Sequence, residues 1–132
     1  MMLYMLDTNT VSHLIKKHPG VSRRVVKVPM TSLCISSITE GEILFGLAKR
    51  PDATRLHTAV KEFLLRVDVL PWDSDVAECY GTARASLEQK GKILGSLDLL
   101  IATHALHAGA ILVTNDGAFA QVPGLQVEDW TI

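Results

Sequence analysis

The chain has 132 residues, of which 48% are hydrophobic, and its formal net charge is −1. This length suits one domain with a real core and is too short for two, so we expect a single domain over residues 1–132. No apolar run approaches the length of a membrane span, and the first apolar stretch lacks the basic leader and cleavage site of a secretion signal. We therefore expect a soluble, cytoplasmic protein without a membrane contact.

The two cysteines and the charge distribution add little about chemistry on their own. Cys34 and Cys79 lie in apolar surroundings without CxxC or Cys/His spacing, which indicates reduced, buried thiols. Between residues 8 and 39 there are no acids, and the basic residues are Lys16, Lys17, Arg23, Arg24 and Lys27. From residue 93 onward there is no Lys or Arg, and the acids are Asp98, Asp116, Glu128 and Asp129. This imbalance is either an ordinary solvated face or a basic surface for phosphates beside an acidic pocket that needs cations.

Hydrophobic patterning predicts strands that alternate with helices in the first half of the chain. The opening apolar run forms a strand that ends on Asp7, and a helix then reaches Lys17. We next predict a short helix at 19–27, a strand at 32–37, a helix at 38–50, a helix capped by Asp52 that reaches residue 66, and a strand at 67–70.

The second half continues in the same way. A long helix opens at 71–73 and ends near 90–91, and an apolar helix at 97–108, capped by Ser96, follows it. A strand at 111–114, a short helix around 118–120 and a weak strand at 126–128 complete the chain. Because helices separate most strands, the class is α/β, with a parallel sheet and helices on both faces.

Acidic residues follow two of the predicted strands directly. Asp7 follows the first strand and Asp116 the fourth, so in a parallel sheet both should lie at the same edge, where ligands bind in open α/β sheets. Asp98 begins a helix that runs antiparallel to the strands and can reach that edge too. A further acid is expected in the helix after the second strand, where periodicity leaves Glu40 and Glu42 as alternatives.

Each acid alone has a simple structural explanation, since Asp7 and Asp98 can cap helices, Asp116 can start a turn and Glu42 can be solvated. Together, however, acids at one edge without a nearby Lys or Arg would repel each other, and a cation resolves that conflict. Oxygen ligands suit Mg²⁺ or Mn²⁺, whereas His104 and His107 are better explained as core or surface residues than as a zinc pair.

Carboxylate-held metal ions are suited to phosphoryl chemistry. One ion can orient and deprotonate a water, and a second ion roughly 3.5–4 Å away can stabilise the leaving oxygen. With Arg23 and Arg24 available for a phosphate backbone, the indicated substrate class is a polyphosphodiester.

Four short motifs surround these acids: Met5-Leu-Asp7-Thr-Asn9, Ser36-Ser-Ile-Thr-Glu-Gly-Glu42-Ile-Leu-Phe-Gly46, Asp98-Leu-Leu-Ile-Ala102 and Leu112-Val-Thr-Asn-Asp116. They resemble the motifs of PIN-domain ribonucleases, and most closely those of the VapC toxins of bacterial toxin–antitoxin pairs. The second motif of the family places its acid four residues before a glycine, which selects Glu42 over Glu40. The resemblance spans the whole chain in order, length and spacing.

The resemblance implies a PIN-like three-layer α/β/α domain whose parallel sheet has the strand order 3-2-1-4-5. It places Mg²⁺ or Mn²⁺ among four acids, Asp7, Glu42, Asp98 and Asp116, with Thr8, Asn9 and Thr114 orienting waters or ligands. The activity it implies is endonucleolytic cleavage of RNA, with tRNA or ribosomal RNA as common targets. It also implies a homodimer that assembles with a VapB-type antitoxin into a hetero-oligomer. The fourth motif varies within the family, and some members have Asn where this chain has Asp116.

Other functions fit the residues less well. A haloacid-dehalogenase phosphatase would need DxDxT after the first strand, and a receiver domain would need a phosphorylatable Asp after the third. A non-toxin PIN-domain nuclease that processes RNA, or a silent module that only binds RNA or an antitoxin, remains an alternative. The complete acid set argues against the silent module, because a binder has no need for four repelling carboxylates.

Overall fold

A computed structural model describes residues 2–132 of the chain and contains a five-stranded parallel sheet. The strands are β1 (Tyr4–Leu6), β2 (Leu33–Ser36), β3 (Asp68–Leu70), β4 (Ile111–Val113) and β5 (Val127–Glu128). They lie in the order β3-β2-β1-β4-β5, and every neighbouring pair is parallel. The predicted α/β class and strand order are thus confirmed.

Six α-helices connect the strands within residues 2–132. They are α1 (Thr8–Ile15), α2 (Pro19–Val25), α3 (Ser37–Ala48), α4 (Thr54–Arg66), α5 (Ser74–Gln89) and α6 (Ser96–Ala108). Short 3₁₀ turns cover Met30–Ser32 and Gly117–Gln121. None of the helices in this part of the chain is long and apolar enough to cross a membrane.

The sheet is covered by apolar side chains on both faces, as a parallel sheet requires. Met5 and Leu112 belong to a core cluster that includes residues of α5 and α6. Their chain neighbours Leu6 and Val113 belong to a second cluster, which includes residues of α1 to α4 and Trp130. Since successive strand residues point to opposite faces, the helices form the two outer layers.

Two predicted helix caps are wrong. Ala53 precedes α4 without a side-chain capping bond, because Asp52 lies in a turn in which the Ala53 N–H donates to the Arg50 carbonyl oxygen (3.1 Å). Gly95, also without a capping side chain, precedes α6. Ser96 is the first residue of this helix, whose first hydrogen bond runs from the Leu99 N–H to the Gly95 carbonyl oxygen (2.9 Å).

The two cysteines differ in burial. Cys34 is fully buried in β2, and burial, aided by the negative charge of Asp68, raises the pKa of its thiol to about 12. Cys79 is only half-buried, so the prediction of a buried thiol is wrong at this position. Its Sγ lies 3.7 Å from the carbonyl oxygen of Thr103, a contact between α5 and α6.

Gly20 lies where α2 approaches the C-terminal segment closely. A Cβ atom at this buried position would lie 2.9 Å from the Trp130 carbonyl oxygen, so we expect Gly20→Ala to destabilise the fold by about 1–3 kcal/mol. The matched control is Gly81→Ala in α5, where a Cβ has open space and alanine should stabilise the helix by up to about 1 kcal/mol. Urea unfolding of both variants tests this, and equal stabilisation at both positions would contradict the close approach.

Candidate active site

Asp7 is held at the carboxyl edge of the sheet by backbone and side-chain hydrogen bonds. Its N–H donates to the Val113 carbonyl oxygen (3.1 Å), which continues the pairing of β1 with β4. Its Oδ1 accepts the Thr10 N–H (2.8 Å), so Asp7 caps α1, and the Thr10 hydroxyl donates to the same Val113 oxygen (2.9 Å). Asp7 as a residue is buried, and its Oδ2 makes no hydrogen bond within residues 2–132.

Glu42 reaches this edge from α3. The Thr8 hydroxyl, one residue after Asp7, donates a 2.7 Å hydrogen bond to its Oε1. Glu42 is half-buried, and this bond ties α3 to the start of α1. Of the two glutamates that periodicity left open, Glu42 is therefore the one that contacts the β1–α1 turn.

Asp98 lies in the first turn of α6 and shares the same electrostatic environment. Partial burial is the largest cause that raises the pKa of its carboxyl group, and the negative charges of Asp116, Asp7 and Glu42 raise this pKa further. The structure thus brings the four predicted acids close enough for their charges to interact. The Asp98 Oδ2 atom lies 3.5 Å from the place where a Cβ on Gly95 would stand.

Asp116 is the exposed member of the group, and its turn is fixed by Thr114. The Asp116 N–H donates to the hydroxyl oxygen of the buried Thr114 (3.1 Å), and its Oδ1 accepts the Ala118 N–H (2.9 Å). The predicted turn role of Asp116 is therefore present together with its proximity to the other acids. Thr114 acts on the position of this carboxylate through the backbone.

The remaining predicted site residues are more peripheral. Asn9 is exposed on α1 and makes no side-chain hydrogen bond within residues 2–132. Arg24 donates to Glu128 Oε1 (2.9 Å) and lies over the Trp130 ring, with 5.4 Å from Cζ to the ring centroid. Arg23 is exposed and forms no ion pair in the described chain. Contact of either arginine with RNA stays a prediction.

Thr10 is the supporting residue that sequence reasoning missed. It binds both the Asp7 carboxylate and the β4 backbone, so it joins two of the strands that form the edge. The available signal was its spacing, because a capping carboxylate commonly bonds the N–H three residues ahead.

The two histidines of α6 lie in different environments. His104 is buried, with Nδ1 2.7 Å from the hydroxyl of Ser36, the residue that caps α3. Burial lowers the pKa of His104, and the nearby Asp73 opposes this effect. His107 is exposed.

The acid group matches a hydrated hard cation better than an enclosed one. In residues 2–132 no three His, Cys, Asp or Glu side chains are close enough to hold one metal ion among them. All donors at the edge are oxygens, and no Lys or Arg offsets the charges that raise the pKa of Asp98. Mg²⁺ usually keeps several waters and binds through one or two carboxylates, so the residues fit this ion, or Mn²⁺, in a water-rich form.

The fold and this edge define a class of α/β proteins with an acidic cluster at the carboxyl ends of a parallel sheet, where ligands bind in such folds. The chain matches the PIN domain family over residues 4–125. The tRNA(fMet)-specific endonuclease VapC of Salmonella typhimurium is 38% identical over 131 residues, which are 98% of this chain and 99% of that protein. Ribonuclease VapC2 of Rickettsia felis is 36% identical over 132 residues, 98% of either chain.

Solved structures agree with the sequence matches. One chain in the crystal structure of DNA-bound VapBC from Salmonella typhimurium matches this chain with a TM-score of 0.90 and 38% identity, and the match covers 98% of this chain and 99% of that one. This chain therefore belongs to the PIN-domain family, within its VapC ribonucleases, as the four motifs predict.

Proposed function

We propose that this chain is an endoribonuclease and the toxin of a type II toxin–antitoxin pair, acting as a single PIN domain. The observation that carries the proposal is the convergence of acids from four separate parts of the chain on one sheet edge. The similarity to VapC ribonucleases, which covers 98% of the chain, supports the same function.

We propose tRNA as the substrate, with initiator tRNA as the first candidate. A relative at 38% identity is named as specific for tRNA(fMet), and the identity spans 98% of this chain. Ribosomal RNA remains the second candidate substrate within the same class of reaction.

The carboxylates of the site would bind the metal ion, and neighbouring groups would hold these carboxylates in position. One or two of the carboxylates of Asp7, Glu42, Asp98 and Asp116 would hold a hydrated Mg²⁺ or Mn²⁺. The bound ion would activate a water and stabilise negative charge on phosphate oxygens. Thr8 keeps the Glu42 carboxylate turned toward the edge, and the Asp7 backbone bond to Val113 keeps its carboxylate at the end of β1.

The partners follow from the relatives. Similar chains were crystallised within VapBC complexes. The complexes from Rickettsia felis and Salmonella typhimurium were bound to DNA. We refer to the sheet edge that carries Asp7, Glu42, Asp98 and Asp116 as the acidic edge. We propose that this chain forms a homodimer and binds a VapB-type antitoxin that covers the acidic edge and prevents RNA cleavage.

Metal dependence gives the decisive test. We expect purified protein to cut transcribed tRNA(fMet) at one position in Mg²⁺ or Mn²⁺ and not in EDTA, with the cut mapped by sequencing of 5′ ends. We also expect millimolar Mn²⁺ to raise the melting temperature, because an ion at 100 times its Kd stabilises the folded state by about 2.7 kcal/mol.

Two results would contradict the proposal. An unchanged melting temperature in Mn²⁺ would count against the metal site, and intact RNA after prolonged incubation would favour a silent binding module. Growth arrest on expression, relieved by Asp98→Asn, separates a toxin from an RNA-processing nuclease.

A further inference from the structure

We propose that RNA leaves the acidic edge along a basic groove between α1, α3 and α4, and that five cations bind its phosphates. The basic groove is lined by Lys16, Lys17, Lys49, Arg50 and Arg55. This inference rests on the proposed ribonuclease function and assigns the path of its substrate.

Two adjoining cavities form the basic groove. The inner cavity, about 230 Å³, is lined by Thr8 and Glu42 of the acidic edge and by three basic residues, Lys16, Lys49 and Arg50. The outer cavity, about 670 Å³, is again lined by Lys16 and Arg50. Because they share these residues, the two cavities adjoin, and the inner one reaches Glu42.

The charge of the basic groove favours an anionic strand. Five cations line the two cavities, against two carboxylates, Glu42 and Asp52. None of these cations forms an ion pair within residues 2–132, although the Lys49 Nζ lies 4.6 Å from the centre of the Phe45 ring. Unpaired cations in a concave surface raise the local concentration of anions.

Helix stability explains only some of these cations. Lys16 and Lys49 are the C-caps of α1 and α3, where the helix dipole favours a positive charge. Arg55 lies in the first turn of α4, where the helix dipole disfavours a positive charge. That turn contains no acidic residue that would compensate the charge of Arg55. A phosphate ligand accounts for a cation at this position.

The basic groove is a better candidate for backbone binding than Arg23 and Arg24. The guanidinium of Arg24 is already bonded to Glu128 and stacked on Trp130. Neither arginine lines the cavity that contains Glu42. An acidic protein segment could also occupy a basic groove, but RNA is favoured because the groove starts where RNA would be cut.

RNA binding as a function of salt tests the basic groove directly. In an Asp7→Asn background, a labelled single-stranded oligoribonucleotide is titrated by fluorescence anisotropy at several NaCl concentrations. We expect Arg50→Ala with Arg55→Ala to weaken binding about tenfold or more at low salt. The slope of the logarithm of the association constant against the logarithm of the salt concentration should become shallower by about 1.4. Each phosphate contact on a single strand contributes about 0.7, and the variant loses two contacts.

The matched control is Lys61→Ala, an exposed lysine of α4 that lines neither cavity. We expect its affinity and salt slope to equal those of the background protein. If urea unfolding shows that the Arg50→Ala, Arg55→Ala variant is not stably folded, the double variant Lys16→Gln, Lys49→Gln provides the same test. Its two lysines lie at the ends of α1 and α3.

The outcomes separate this inference from the proposed function. Unchanged RNA affinity and slope in both pairs would overturn the basic groove, even if the wild type cleaves RNA in a metal-dependent way. Unchanged RNA affinity with weaker antitoxin binding would overturn it in favour of a protein segment. Failure of the wild type to cleave RNA would contradict the proposed function, while the binding titration would still decide the groove.

Discussion

Asp98→Asn is expected to abolish RNA cleavage while leaving the metal-free protein at least as stable as the wild type. Loss of one metal-binding carboxylate removes several kcal/mol of transition-state stabilisation, so the rate should fall by about a hundredfold or more. Stability should not fall, because burial and three neighbouring carboxylates disfavour the ionised form of Asp98 in the folded protein.

The pH dependence of stability gives a second readout for this variant. The folded-state pKa of Asp98 lies above its ordinary value of 3.8, so the folded state binds more protons than the unfolded state between the two values. Wild-type stability should therefore fall, relative to Asp98→Asn, as pH rises from 3.8 through the folded-state pKa. Above that window the difference should be constant.

Asp75→Asn is the matched control, because Asp75 also lies in the first turn of a helix but is outside the acidic edge. Both substitutions lose the favourable interaction of a carboxylate with the helix dipole, worth about 0.3–1 kcal/mol. Only Asp98→Asn also relieves repulsion. Urea unfolding of both variants over a pH series, with RNA cleavage at neutral pH, tests this expectation. An active Asp98→Asn, or one less stable than Asp75→Asn, would contradict the proposed role.

Two substitutions of Asp7 are expected to separate its helix-capping role from its proposed role in catalysis. Asp7→Asn and Asp7→Ala should both lose RNA cleavage by about a hundredfold or more, because neither supplies an anionic oxygen. Only Asp7→Ala should also lose about 1 kcal/mol of stability, because asparagine can still accept the Thr10 N–H that Oδ1 accepts at 2.8 Å. Urea unfolding beside RNA cleavage measures both effects.

Asp73→Ala is the matched control for the cap. Asp73 caps α5 and accepts the Val76 N–H at 3.1 Å, so its loss should cost similar stability while cleavage is kept. Full activity in Asp7→Asn would mean that Asp7 is only a helix cap.

The local patterns of the chain were enough to predict the main elements and three of the four acids. The periodicity of strands and helices depends on residues that are close in the sequence. The apolar runs before Asp7 and Asp116 therefore predicted strands. Because parallel strands end at one edge, the convergence of their carboxylates could be predicted from the sequence. The caps before α4 and α6 could not be predicted from residue type, because the backbone hydrogen bonds that form decide which residue begins each helix.

By itself, then, the sequence determined the α/β class, the strand ends and the chemistry of the acids, because these depend on residue type and short spacing. Family resemblance added the strand order and the choice of Glu42. Only the tertiary structure decided that Thr8 binds Glu42, that Arg24 is already bonded to Glu128, and that the ends of three helices form one basic groove. These contacts join residues far apart in the chain, and only packing of the helices on the sheet sets those distances.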